Sequence, residues 1–263
     1  MTQQTLTFEL RDHVAWITIN RPDAHNAINL QCVKELCDLA NRCSSDPSVR
    51  SVVLTGSGDR AFCAGGDVVD FAAHSGDVER LIREMTGYLH MAISRFAWMQ
   101  APVIAAINGV AAGGGLSLAL ACDLAIAAES AKLTSAYTQI GFTPDGSSTF
   151  YLPRLAGPRR AMELYLTNRI LSAQEALEWG LVNRVVPAAT LAAEAGALAR
   201  QLAAGPTRAY GGVKKLLLMA ATESLESQME RETRFIAETS ASADGREGVR
   251  AFVEKRRPRF GGA

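Results

Sequence analysis

Short apolar runs rich in β-branched residues alternate, along the first half of the chain, with longer stretches whose apolar positions recur every three or four residues. Residues 13–19, HVAWITI, form the first such run and end at the turn sequence NRPD, which predicts a strand. Asn29 stands just ahead of Leu30, Val33, Leu36 and Ala40, a spacing that predicts a capped helix. SVVLTG, residues 51–56, reads as the next strand. Residues 77–99 read as one long helix, with Leu81, Ile82, Met85, Tyr88, Leu89, Ala92, Ile93 and Phe96 on a single stripe. VIAAI, after Pro102, shows no alternation, as expected of a strand buried on both faces. Strands alternating with helices imply a parallel α/β core.

From about residue 158 the pattern changes. Pro158 marks a helix start, Ser172 and Glu175 form a capping box, and Gly180 follows a helix ending in LEW. Residues 201–263 read as helical with little strand signal. No internal repeat or low-complexity stretch interrupts the chain.

Composition narrows the partners. The 263 residues are 48% hydrophobic, enough for a sizeable core, and Lys+Arg and Asp+Glu each total 27. Zero formal net charge gives no long-range field toward nucleic acid or an anionic membrane, so no nucleic-acid or membrane partner is expected. The five cysteines lack paired spacing and predict reduced thiols in a cytoplasmic protein. No secretion signal or membrane span is expected either.

Two glycine-rich stretches carry the candidate chemistry. In AAGGGLSLALACD, residues 111–123, a turn leads from VIAAI into an apolar helix starting near Gly114. Free backbone N–H groups there, at the positive end of a helix, have the anatomy of an oxyanion hole. The bland alternative is that three glycines simply let a helix pack tightly on a sheet. AFCAGGD, residues 61–67, also follows a strand, and its Gly65 and Gly66 offer a second donor from another loop.

AFCAGGD, AAINGVAAGGG and ACDLAIAAESAKL, with NRPDAHNAI before them and EGVRAFVEKRRPRF at the end, together resemble the enoyl-CoA hydratase/isomerase (crotonase) superfamily over nearly the whole chain. The resemblance implies a ClpP/crotonase-like α/β fold: repeated ββα units over residues 1–200, then a helical region over residues 201–263 used in trimer assembly. It implies acyl-CoA thioesters as substrates, no further cofactor, and a homotrimer or homohexamer. The oxyanion donors would be the N–H groups of Gly66 and Gly114. The loop Ala64, Gly65, Gly66, Asp67 and Val68 would cradle the coenzyme A portion, with His25 beside it.

Hydratases of this family carry glutamates at the positions matching Ser117 and Tyr137. Neither is present here, and hydration needs one group for the water and another for the α-carbon proton. Asp145, in QIGFTPDGSS, is the remaining acid/base candidate. Pro-Asp-Gly is also a common turn in which the Asp satisfies its own backbone, but isomerases of this family have a similar turn in the same place. LPRLAGPRRAMEL, GPTRAY, REGVRAF and EKRRPRF particularly resemble the enoyl-CoA or epoxyacyl-CoA isomerase type of phenylacetate degradation. The resulting expectation is an isomerase with Asp145 as its single acid/base.

Rival readings remain open. Hydration without the usual glutamates is one. Aryl-CoA dehalogenases use a nucleophilic Asp matching Asp145, a base matching His90 and a tryptophan matching Tyr137. His90 lies roughly 135° from the centre of its helix's apolar stripe, facing either solvent or a cleft. A non-catalytic acyl-CoA-binding scaffold is the reading outside enzymology. Ser117 reads as filler where a carboxylate was lost, Cys63 as a small buried thiol, Asp67 as a helix cap and Asp123 as a tie at a turn. The isolated histidines give no metal-ligand spacing. Residues 68–90 and a helix around 137–150 are expected to wall the acyl pocket, with Tyr137, Phe142 and Phe150 pointing to an aromatic or medium-sized acyl group.

Overall fold

The computed structural model describes residues 5–263. Its larger sheet holds six strands in the spatial order β1 (Leu6–Arg11), β2 (Val14–Ile19), β3 (Ser51–Gly56), β5 (Val103–Ile107), β7 (Leu124–Ala128) and β10 (Arg184–Val186). Only β1 and β2 pair antiparallel; the other neighbours are parallel. All five residues of β5 are buried, as the unbroken apolar run requires of a central strand. Alternate side chains serve two cores. Val53, Ile104, Ala106 and Ile126 pack with α8 (Leu191–Ala203), while Val52, Leu54, Val103, Ala105 and Ile107 join the core shared with α1 (Leu30–Ser45) and α3 (Val78–Trp98).

The helices form where the polar punctuation lies. Asn29 caps α1 by accepting from Cys32 N, and α3 buries Leu81, Met85, Leu89, Ala92, Ile93 and Phe96 along the expected stripe.

A second sheet contains β4 (Ala61–Cys63), β6 (Val110–Ala112), β8 (Lys132–Thr134) and β9 (Leu171–Ser172), in that order. Each long strand feeds a short one and then a helix: β3, β4 and α2 (Val68–Ala73); β5, β6 and α4 (Gly114–Leu120); β7, β8 and α5 (Ser148–Ala156). These are the expected ββα units. The stretch NGVAAGG, expected as a plain turn, contains β6.

The helix expected around 137–150 is absent. A single 3-10 turn, Thr138–Ile140, gives way to extended chain, and α5 starts only at Ser148. Gly141, Gly146 and Ser147 hold φ of 74°, 59° and 64°, and such left-handed residues interrupt a right-handed helix.

The remaining helices are α6 (Pro158–Thr167), α7 (Ala173–Glu178), α9 (Thr207–Ala220), α10 (Leu225–Ser240) and α11 (Ala243–Val253). Pro158 opens α6, and the Ser172/Glu175 capping box opens α7. Two cations tie the C-terminal helices to the sheet region. Lys214 on α9 pairs with Asp123 at 2.7 Å and donates to the carbonyls of Phe96 and Ala101. Arg50 donates to Gly205 O, Thr207 Oγ1 and Phe260 O.

Candidate active site

The loops that follow β4 and β6 meet. Ile28 N donates to Gly65 O and Asp67 N to Ile28 O, a parallel bridge that turns the intervening Gly66 N–H to the opposite side. Gly114 is the first residue of α4, so its N–H has no acceptor within the helix. A Cβ placed on Gly114 would stand 4.0 Å from Gly66 N. Backbone from two separate loops therefore lies close together here, with the Gly66 N–H turned away from Ile28 and the Gly114 N–H outside the bonding pattern of α4.

The three consecutive glycines divide the two readings between them. Gly113 sits at φ 51°, ψ −125°, a region open essentially to glycine alone, and a Cβ on Gly115 would fall 2.0 Å from Cys63 O. Gly113 makes the turn and Gly115 makes the close packing. Gly114 presents the donor.

Asp145 lines the same cavity, of about 770 Å³, as Gly66 and Gly114. Its Oδ1 accepts a 2.5 Å hydrogen bond from the Tyr137 hydroxyl. Burial first, then the adjacent carboxylate, pushes the Tyr137 phenol well above its ordinary range. It therefore stays protonated and serves as a donor to Asp145. Ser117, fully buried on α4, lies 2.8 Å from the same phenol oxygen and 3.0 Å from Asp145 O. The Ser148 hydroxyl also donates to Asp145 O at 3.0 Å. The two positions expected to match the hydratase glutamates are here a touching pair of hydroxyls.

Ser117 is thus more than filler. The hydroxyl packs into the polar junction between α4, Tyr137 and the Asp145 turn, a contact 28 residues long in sequence that no local pattern announces.

Of the other expected site residues, Ala64, Gly65 and Val68 line the cavity with Gly66, Gly114, Tyr137 and Asp145. His25, Asp67 and His90 do not. His25 is exposed, although its carbonyl accepts from Ala64 N and so joins NRPDAHNAI to the loop. Asp67 caps α2 through Asp70 N and pairs with Arg21 at 2.9 Å. His90 is exposed on α3, and its Nε2 accepts from Gly146 N at 3.2 Å. The Cys63 thiol is fully buried and pushed up to about 12 by that burial, an inert sulfur as expected.

Two residues that sequence reasoning missed hold this architecture. Arg21 ties Asp67 and the carbonyl of Ala27 together. Asn26, fully buried, donates to Ser57 O and Ala61 O. A polar residue set directly before the apolar Ala27 and Ile28 in NRPDAHNAI was the available signal for Asn26.

Much of the cavity wall is apolar, built from Phe71, Ile82, Met85 and Leu89 within the expected 68–90 segment, with Phe142 beside Phe71. Phe150, expected to join them, instead packs on Tyr151 and under the Arg154 guanidinium. Glu79, the other carboxylate of the lining, is 80% exposed and paired with Arg83, at the rim. Asp145 is left as the carboxylate of the interior wall.

Comparison with known proteins agrees with this architecture. The family model described as enoyl-CoA hydratase/isomerase matches residues 9–263. The chain is 44% identical over 230 residues to 4-chlorobenzoyl coenzyme A dehalogenase-2 from an Arthrobacter species, covering 87% of this chain and 83% of that protein. It is 41% identical over 250 residues to 1,2-epoxyphenylacetyl-CoA isomerase from Escherichia coli, covering 95% of each. The crystal structure of enoyl-CoA hydratase from Bacillus anthracis matches with a TM-score of 0.93 and 36% identity over 99% of this chain and 100% of that one. Among the described residues no helix is long and apolar enough to cross a membrane. By its ββα core, its paired glycine loops and a match running from residue 9 to the end, the chain belongs to the enoyl-CoA hydratase/isomerase family of acyl-CoA enzymes.

Proposed function

We propose that the chain is an enoyl-CoA isomerase in which Asp145 is the single acid/base and the N–H groups of Gly66 and Gly114 hold the thioester oxygen. The observation that carries this reading is the lone carboxylate of the interior lining, held by Tyr137 at 2.5 Å in the cavity that Gly66 and Gly114 also line, with a touching pair of hydroxyls at Ser117 and Tyr137. Asp145 takes a proton from C2 of a 3-enoyl thioester. The C–H electron pair moves into the carbonyl, and the two N–H groups stabilise the resulting enolate oxygen. The new carboxylic acid then delivers the proton to C4 as the double bond shifts to C2–C3. No water is consumed and nothing leaves.

The thioester's coenzyme A portion would lie along Ala64 to Val68, beside His25. Apolar residues lining the cavity, Phe71 and Met85 among them, suit a medium-sized or aromatic acyl group. Exposed Leu217, Ile236 and Phe252 on the C-terminal helices support assembly as a homotrimer or homohexamer. Sedimentation as a stable monomer at micromolar concentration would overturn that assembly.

Similarity to 4-chlorobenzoyl coenzyme A dehalogenase-2 favours a second reading. There Asp145 would bond to the halogen-bearing ring carbon, halide would leave, and water would hydrolyse the aryl ester. Against it, His90 lies outside the cavity lining with Nε2 already engaged.

Turnover of 3-enoyl-CoA and 2-enoyl-CoA in deuterated water, followed by mass spectrometry beside Asp145→Asn, separates these chemistries. Double-bond migration with deuterium uptake, slowed by a factor of about 10² to 10⁴ in the variant, is the expected result. A water adduct on the 2-enoyl ester, or halide release from 4-chlorobenzoyl-CoA without double-bond migration, refutes the isomerase reading.

A further inference from the structure

We propose that His90 is a positioning residue for Asp145: its Nε2 is the acceptor that holds the Gly146 N–H, and through it the turn that carries the carboxylate. The inference rests on Asp145 being the acid/base, and assigns His90 a role distinct from proton transfer.

The turn needs restraint. Gly146 and Ser147 both occupy the left-handed region, at φ 59° and 64°, and for serine this is a sparsely populated conformation. Four side chains hold the segment. Tyr137 fixes the Asp145 carboxylate, and the Ser117 and Ser148 hydroxyls fix its carbonyl. The fourth is His90. Gly146 is buried, and a buried N–H requires an acceptor, which the imidazole Nε2 supplies from 3.2 Å. His90 follows Leu89, which lines the cavity and would lie 3.6 Å from a Cβ on Gly146. α3 thereby sets both the apolar wall and the height of the Asp145 turn.

The hydrogen bond dictates the imidazole's state. A ring nitrogen that accepts carries no proton, so His90 holds its proton on Nδ1 and its Nε2 lone pair is spent on the backbone. His90 is exposed and absent from the cavity lining, and its contact with the site runs through Gly146.

His90→Ala and His90→Gln test this together. Glutamine's side-chain oxygen can accept from Gly146 N–H but cannot shuttle a proton. Three quantities are read: kcat and KM for 3-enoyl-CoA, hydrogen exchange at the Gly146 amide, and the ¹⁵N shifts of the His90 ring. The alanine variant should lose about tenfold or more in kcat with KM little changed, and its Gly146 amide should exchange faster. Glutamine should restore most of both, and the wild-type ring should show an unprotonated Nε2. A glutamine variant with a protected Gly146 amide but the alanine variant's kcat would overturn the proposal in favour of proton transfer. Alanine kinetics and exchange matching the wild type would overturn it as well. If the wild-type protein isomerises no enoyl-CoA, the assignment of Asp145 fails by itself. Amide exchange and ring shifts then still decide the clamp, and a protonated Nε2 or unchanged exchange refutes it.

Discussion

Replacing Ser117 by glutamate would install a carboxylate at a position expected to match a hydratase glutamate, and the packing around it predicts a cost in stability and no gain of hydration. Ser117 is fully buried, and its hydroxyl already has neighbours at 2.8, 3.0 and 3.2 Å. The turn presses on it from one side, since a Cβ on Gly146 would lie 2.8 Å from Ser117 Cβ. Glutamate adds a net three heavy atoms to this site, and overpacking of that kind costs roughly 1–3 kcal/mol. Burying its charge near the Asp145 carboxylate adds to the penalty. A total of about 3 kcal/mol lowers the melting temperature by roughly 6–12 °C in a chain of this size. Thermal unfolding measures the first claim, and incubation with 2-enoyl-CoA followed by mass spectrometry measures the second. A Ser117→Glu protein that melts with the wild type and adds water to the 2-enoyl ester would refute the reasoning. It would mean that the Asp145 turn does not exclude a second carboxylate.

Tyr137→Phe removes the one side-chain donor to the Asp145 carboxylate among the described residues. A hydrogen bond to a charged group contributes about 1.5–3 kcal/mol, so kcat should fall roughly 10- to 100-fold with little change in KM, and an unchanged kcat would remove Tyr137 from the machinery. Gly66→Ala places a Cβ 2.6 Å from the Phe71 ring, whereas Gly114→Ala meets Ile28 Cδ1 at 3.3 Å. Steady-state kinetics should therefore show a larger loss of kcat/KM for Gly66→Ala, and the reverse order would contradict the packing. Lys214→Ala leaves Asp123, whose carboxyl burial already pushes upward, without its cation. Chemical denaturation should show a loss of about 3–5 kcal/mol; a loss below about 1 kcal/mol would show the pair to be dispensable.

How much of this was legible in the sequence depends on the range over which each feature is determined. β3, β5 and the buried stripe of α3 were readable because burial imposes a period, or an unbroken apolar run, on contiguous residues. The caps at Asn29, Asp67 and Ser172 were readable because the partner of each lies three residues on. The second sheet was not, since strands of two or three residues are too short to carry a period. The supposed helix around 137–150 failed for a related reason. The chain there is set by Gly141, Gly146 and Ser147 in left-handed conformations, and serine gives no warning of that.

The active site follows the same rule at longer range. Gly66, Gly114 and Asp145 were nominated through family resemblance, because nothing local says that loops 48 residues apart will meet. The structure adds the physical cause: the Ile28 bridge turns Gly66 outward, and a helix start frees Gly114. His90 and Ser117 illustrate the residue class that resemblance and periodicity both misjudge. Each was weighed by what its own side chain might do to a substrate, His90 as a base and Ser117 as a lost acid. Each instead makes its contact with the backbone of the 145–146 turn, from helices 28 and 56 residues away in sequence. A side chain whose partner is a distant amide or carbonyl leaves no trace in local pattern, because any residue type can supply that amide or carbonyl. The role proposed for Asp145 therefore rests on the supports that α3, α4 and α5 supply to its turn through His90, Ser117 and Ser148 as much as on the Pro-Asp-Gly motif itself.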